Sequence, residues 1–349
     1  MDTDYNGENN FNASFVDFDN DGENEIFYPM PDGSLYLWDN YELIETYPID
    51  ADPLSYYYAY DENTGTFLIP TTNPLSSLAR LFLLNYEYFD YPYFLDKNWA
   101  APPVVNPDPE NIYRLFLPFN NNNNSAEIML WDESYNEMET IIFPDQDICT
   151  NLMLKNNFLY SITVADEQNF KLNLTDLNIL SSESIAINDF NENTEILSSM
   201  LADINNDELD EIIITTTDTL LYVLGSNAQT LPGFPVKIPL ASISLPSIAD
   251  VDGNGYLDIL IGGRNSFVIV NKNGDISGPD KEVAAPDSLF SAAGVIALNV
   301  DDDEDLEIVG NMSRNRLTIW ENLNYNTFEM KMNYPVSFKE ISLNYPILS

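Results

Sequence analysis

The 349-residue sequence contains no histidine. This removes imidazole-based nucleophilic triads, histidine-ligated zinc and imidazole acid–base catalysis. There is one cysteine, Cys149, so no intrachain disulfide can form. The expectation for it is a small residue packed inside. Positive charge is scarce: 13 Lys and Arg stand against 57 Asp and Glu, a formal net charge of −44. The basic residues are scattered, and a chain this acidic repels phosphate, so neither nucleic acid nor anionic lipid is an expected partner. No apolar run approaches the roughly 18 residues of a membrane span, so no membrane insertion is expected. The first ten residues, MDTDYNGENN, are polar and acidic and do not read as a signal peptide. No segment sustains a 3.6-residue apolar period, so few helices are expected.

What is present is an apolar fraction of 44% and an aromatic fraction of 13%, enough for a sizeable core. The acidic excess needs a compensator, either salt and solvent or bound cations. A diffuse halophilic surface is one reading of it, but the acids are ordered in a repeat. Four segments align without gaps: DFDNDGENEI at 17–26, DINNDELDEI at 203–212, DVDGNGYLDI at 250–259 and NVDDDEDLEI at 299–308. The last three begin 47 and 49 residues apart, and the gap from 17 to 203 spans about four such periods. YAYDENTGTFLIP at 58–70, VVNPDPENIYRLFLP at 104–118 and LMLKNNFLYSITV at 152–164 keep the strand–turn–strand rhythm without the acidic ladder. These complete a series of seven. An aromatic–proline pair recurs at Tyr47-Pro48, Phe143-Pro144, Phe234-Pro235 and Tyr334-Pro335. Proline suits an outer strand, where no ladder donor is needed.

Each period reads as about four short strands bounded by Gly, Asn and Asp, for example ASFVD, EIFYPM, SLYLWD and ELIETYPI. Four strands in about 47 residues, repeated some seven times, predict an all-β fold: a β-propeller of seven blades, each of four antiparallel strands. Six or eight blades are the alternatives, and two packed β-sandwiches a weaker one. Residues 1–10 read as an N-terminal extension and 11–337 as the propeller. Residues 338–349 read as a C-terminal strand or the start of a truncated further repeat, because KEISLNYPILS resembles LASISLPSIAD at 240–250.

The aligned loops carry oxygen at alternate positions. The candidate ligands are Asp17, Asp19, Asp21 and Glu25; Asp203, Asn205, Asp207 and Glu211; Asp250, Asp252, Asn254 and Asp258; and Asn299, Asp301, Asp303 and Glu307. Positions 1, 3 and 5 turn oxygens inward, position 7 offers a carbonyl, and position 9 returns a carboxylate as the next strand begins. An all-oxygen cage of hard ligands suits Ca²⁺, with Mg²⁺ second because it demands tighter octahedra. An EF-hand is excluded: position 12 is Tyr28, Ile214, Ile261 or Gly310, where that loop needs a bidentate Glu. Gly22 and Gly255 at position 6 permit the sharp turn, whereas Glu208 and Glu304 there are expected to strain it and weaken binding. Asx-rich turns that merely connect strands are the bland alternative. Asp2–Gly7 mimics the motif, as a remnant or a frayed end.

This pattern resembles the FG-GAP/VCBS repeats of integrin-α-like propellers, strongly in four repeats and poorly across residues 50–200. LPGFPVKI at 231–238 is similar to the connecting strand of bacterial members. The resemblance implies calcium bound by the loop carboxylates, an extracellular or cell-surface location, and an adhesion or ligand-binding role toward a protein or glycan, beside further domains of a longer chain. Two other functions stand against this non-enzymatic scaffold. One is a polysaccharide lyase or glycosidase, for which a carboxylate pair is uninformative among 57 acids. The other is a structural spacer in a larger surface protein. The asparagines at 120–124 read as a loop. The aromatic runs at 55–60 and 84–94 read as packing between blades, with a sugar-binding face as the alternative. Asn12 and Asn173 fit the glycosylation sequon.

Overall fold

The structure is a computed structural model. It describes residues 14–19, 25–29, 34–39, 42–48, 59–61, 64–72, 79–84, 93–95, 97–108, 110–121, 125–166, 169–190, 194–240, 243–263, 266–278, 294–300, 305–313, 316–324, 327–330 and 336–337. The N-terminal extension and the segment 338–349 lie outside these residues. Among the described residues every regular element is a β-strand, and the strands form seven antiparallel sheets, each a meander in chain order.

The described residues divide into two compact units, one within Ala13–Thr194 and one within Glu195–Leu348. The first unit holds four sheets. The first sheet runs Ser14–Val16, Glu25–Pro29, Ser34–Asp39 and Glu42–Pro48. The second runs Ala59–Asp61, Thr66–Thr72, Ala79–Leu84 and Tyr93–Phe94. In the third, Asn98–Trp99 and Val104–Val105 both pair with Leu115–Asn121, followed by Ser125–Trp131 and Glu137–Pro144. In the fourth, Asp147–Ile148 and Met153–Lys155 pair with Phe158–Ala165, then Asn169–Asp176 and Ser181–Ala186. The second unit holds the fifth sheet (Ile196–Ala202, Glu211–Thr216, Leu220–Leu224, Val236–Lys237) and the sixth (Pro246–Ala249, Asp258–Gly262, Phe267–Val270, Ile276–Ser277). It also holds the seventh (Val295–Leu298, Glu307–Ser313, Arg316–Asn324, Thr327–Met330, with Val336–Ser337 on Arg316 and Leu317).

Central strands flanked by two sheets of the same unit are apolar on both faces because those sheets cover both. ARLFLL and DILIG are buried throughout, as expected for strands covered on two sides, and EIIITT is buried along its length. Successive side chains point to opposite seams. Leu115, Leu117 and Phe119 pack toward Leu68, Leu81 and Leu83 of the second sheet. Phe116 packs toward Ile148 and Leu159 of the fourth. In the sixth sheet Ile259 and Ile261 meet Ile213 and Val223 of the fifth, while Leu260 meets Ile308 and Trp320 of the seventh. Each such side chain, fully buried, contributes about 1.5–3 kcal/mol. A one-residue slip would exchange the two seams, so register is tightly specified.

Fourth strands carry a different composition. ELIETYP and SSESIA are largely exposed. Tyr47-Pro48 and Phe143-Pro144 end such strands, and Phe234-Pro235, with a cis peptide bond, enters one. Tyr334-Pro335 lies outside the described residues. The expected loop of asparagines is corrected at two positions. Asn120 and Asn121 end the strand Leu115–Asn121, and the Asn120 amide exchanges hydrogen bonds with the Ile148 backbone at 2.8 and 2.9 Å, tying the third sheet to the fourth. Asn173 is likewise no surface sequon. It is buried mid-strand, donating to Thr163 Oγ1 (2.8 Å) and accepting from Ser184 Oγ (2.6 Å). Asn12 lies outside the described residues.

Candidate metal centre

The four acidic segments occupy one structural position, the connection between the first and second strands of the first, fifth, sixth and seventh sheets. Their register is identical. The ninth residue opens the second strand and pairs with the last residue of the first: Val16 with Glu25, Ala202 with Glu211, Ala249 with Asp258, Leu298 with Glu307. None of these four carboxylates is more than 4% exposed. Each accepts the backbone N–H of the loop's second residue: Phe18 to Glu25 Oε2 at 2.6 Å, Ile204 to Glu211 Oε2 at 3.1 Å, Val251 to Asp258 Oδ2 at 3.1 Å, and Val300 to Glu307 Oε2 at 2.9 Å.

The second residue anchors the loop in three of the four. Phe18 packs edge-on to Phe27 at 4.8 Å and near Phe67 of the second sheet. Ile204 is buried at the seam with the sixth sheet, and Val251 at the seam with the seventh. The Val251 carbonyl also accepts from Asn322 Nδ2 at 3.1 Å. Val300 is exposed instead.

The first and fifth positions organise the turn. Asp203 accepts the amides of Asp207 (3.1 Å) and Glu208 (2.8 Å), and Asp250 those of Asn254 (3.0 Å) and Gly255 (2.8 Å). Asp207 and Asn254 in turn accept the amides of Leu209 and Tyr256 at 2.9 and 2.8 Å. Lys272 Nζ lies 3.1 Å from the Tyr256 ring centroid, beside the sixth sheet's loop. In the fifth and sixth sheets' loops the backbone is left-handed at positions 4 and 6. Gly253 and Gly255 supply it at φ +67° and +87°, whereas Asn206 and Glu208 are forced to +61° and +70°.

Carboxylate oxygens of Asp17, Asp19 and Glu25 lie within 4.8 Å of one another, and so do those of Asp250, Asp252 and Asp258. Calcium holds its oxygens at about 2.3–2.6 Å, so two ligands of one ion sit no more than about 5 Å apart. Both clusters meet that limit. The fifth sheet's loop carries Asn205 at position 3. Its Nδ2 donates to Glu211 Oε1 at 2.7 Å, while its Oδ1 is buried with no hydrogen-bond partner, an acceptor that a cation would satisfy. Burial pushes the Glu211 carboxyl above its ordinary value, and Asp207 and Asp203 push the same way, against the stabilising amides of Ile204 and Asn205. In the seventh loop Asn299 and Glu307 are described; Asp301, Asp303 and Glu304 are not, nor are Asp21 and Gly22 of the first. The Asp2–Gly7 remnant is also outside the described residues.

The second to fourth sheets solve the same connection without an acidic ladder. The fourth closes on a two-residue turn, with Asn156 at φ +52°. The third ends its loop on Arg114, which is buried. Its Nε donates to Asp61 Oδ2 of the second sheet at 3.0 Å, Nη2 to Asp61 Oδ1, and Nη1 to the Asn106 carbonyl. A guanidinium supplied by the chain thus neutralises the acid buried there. Cys149 is half-buried, with its Sγ 3.3 Å from the Ile162 carbonyl, and desolvation pushes its thiol up to about 12.

No protein-family model matches the chain, and no curated protein matches it in sequence. Solved structures do. The chain is similar to the crystal structure of BBS1N in complex with ARL6DN (TM-score 0.55, 10% identity, covering 87% of this chain and 89% of that one). It is also similar to BamB from Moraxella catarrhalis (TM-score 0.53, 13% identity, 87% and 81% covered) and to the Dos1 propeller (TM-score 0.52, 11% identity, 84% and 72% covered). The sheets and this likeness together define a β-propeller, as the repeat predicts.

Proposed function

We propose that this chain is a calcium-binding propeller of the FG-GAP/VCBS kind, working outside the cell or at its surface as a non-enzymatic scaffold for a protein or glycan ligand. The observation that carries this reading is the common geometry of the acidic loops: a buried ninth carboxylate holds the second residue's amide, and acids converge within 4.8 Å in two of them. Asp17, Asp19 and Glu25 would hold one ion, and Asp250, Asp252 and Asp258, with Asn254 beside them, another. Asp203, Asn205, Asp207 and Glu211 would form a weaker site because Glu208 occupies position 6, and the fourth set is Asn299, Asp301, Asp303 and Glu307. Bound cations would offset part of the −44 charge. BBS1N, one of the similar propellers, is described in complex with ARL6DN, which supports a protein as the kind of ligand.

A cation that binds only the folded state stabilises it by mass action, about 2.7 kcal/mol at a hundredfold excess over Kd. Thermal unfolding of the whole chain in millimolar calcium and in chelator tests this. Calcium should raise the melting temperature, magnesium should raise it less, and Asp250→Asn should shrink the calcium shift. Superimposable curves with and without calcium would contradict the reading.

A further inference from the structure

We propose that the end of the third and fourth sheets carrying Ile112, Phe158 and Ile179 is a docking surface for a partner protein, taken as a basic segment with apolar anchor residues. Among the described residues Ile179 and Ile112 are the most exposed large hydrophobics, at 72% and 63%. They come from different sheets, but their loops are tied to the same residue, Asn157. Ile112 lies in the loop between the first and second strands of the third sheet, and Ile179 in the turn between the third and fourth strands of the fourth. In a meander those two kinds of connection fall at the same end. Asn157 joins them: Asn111 Nδ2 donates to its Oδ1 at 2.9 Å, and the Leu177 amide donates to its carbonyl at 2.9 Å. Phe158, 38% exposed, is the next residue.

The loops carrying both isoleucines are braced by side-chain-to-backbone hydrogen bonds. Asn106, Asp108 and Asn111 each accept the amide two residues on, at 3.1, 3.0 and 2.9 Å, and Tyr113 beside Ile112 is buried in the seam between the sheets. Leu177 is buried in that seam as well, the Asn178 amide donates to Asp176 Oδ1 at 2.9 Å, and Leu180 sits at φ +48°. A leucine in left-handed backbone is unfavourable locally, and strain of this kind collects at binding sites. Anchors fixed before binding lose little entropy when a partner covers them. Charge selects the occupant. Asp108, Glu110 and Asp176 flank the patch, Lys155 ends a neighbouring strand, and two copies of a chain carrying −44 repel each other.

The test uses the full chain and two labelled octapeptides of equal charge, one alternating leucine with lysine and one alternating glycine with lysine, followed by fluorescence anisotropy at physiological salt. The Leu–Lys peptide should bind the wild type roughly tenfold or more tightly than it binds the double variant Ile112→Ser with Ile179→Ser. Each single variant should lose part of that, and the Gly–Lys peptide should be indifferent to all of them. Both positions are exposed, so an unchanged melting temperature certifies the fold. Equal Leu–Lys binding by wild type and double variant would overturn the proposal, as would no binding to the wild type. So would sedimentation showing a wild-type dimer that the double variant dissolves, which would assign the patch to a second copy.

Discussion

Glu208 is the sharpest point at which backbone physics can be separated from metal chemistry. It stands at φ +70° in the position where the sixth sheet's loop has Gly255 at +87°. A side chain held in left-handed backbone costs about 1–3 kcal/mol. Replacing it with glycine removes that cost but adds unfolded-state entropy worth about 0.5–1 kcal/mol. Glu208→Gly should therefore stabilise the fold by about 1 kcal/mol, or a melting shift of about 2–4 °C for a unit of this size. Gly255→Ala is the mirror experiment. A Cβ built there meets nothing within 4 Å, so its expected loss of about 1 kcal/mol is conformational rather than steric. Both shifts are read by thermal unfolding in chelator, where no cation contributes. Asn206→Gly should gain less, since asparagine tolerates this region. If Glu208→Gly destabilises the protein, or Gly255→Ala leaves it unchanged, the strain argument fails.

Three further outcomes are expected. Arg114→Met leaves Asp61 buried without its guanidinium and should lose about 3–5 kcal/mol in urea unfolding, most of it regained when Asp61→Leu is added; additive single losses would refute the pairing. Gly233→Ala drives a Cβ to 2.0 Å from the Asn273 carbonyl oxygen at φ +96°, so a loss of about 3 kcal/mol or more should follow, and a silent substitution would contradict the close approach of the fifth and sixth sheets. With its thiol pushed to about 12, Cys149 at pH 8 is ionised in roughly one molecule in ten thousand, against about a quarter for an ordinary thiol near 8.5. Disulfide-exchange labelling should be slow in the folded protein and fast in denaturant, and equal rates would refute the burial.

Much of this was legible in the sequence because the period-2 and turn signals are local. The loops at 17, 203, 250 and 299 align because one ninth carboxylate must begin a strand and bond an amide seven residues earlier, a constraint contained within ten residues. The degenerate repeats kept their strands at 59–61 and 66–72, 104–105 and 115–121, and 153–155 and 158–165, since hydrophobic rhythm survives the loss of ligands. What escaped depends on which sheets become neighbours. Arg114 lies 53 residues from Asp61 and carries no local sign of its partner. Asn120 reaches 28 residues to Ile148, so a run of asparagines reads as loop although two of them end a strand. Asn173 satisfies a sequon, but burial between Thr163 and Ser184 follows only from strand register. Ile112 and Ile179 look unremarkable apart, and only the bonds of Asn157 tie their loops together.

Calcium titration by calorimetry, run on the wild type and on Asp17→Asn and Asp250→Asn, bears most directly on what these loops do. Saturable calcium heats, with each variant subtracting its own site and leaving the other, are the expected result. A wild type that takes up no calcium, or variants whose isotherms match it, would mean that the convergent carboxylates serve only to brace their own turns.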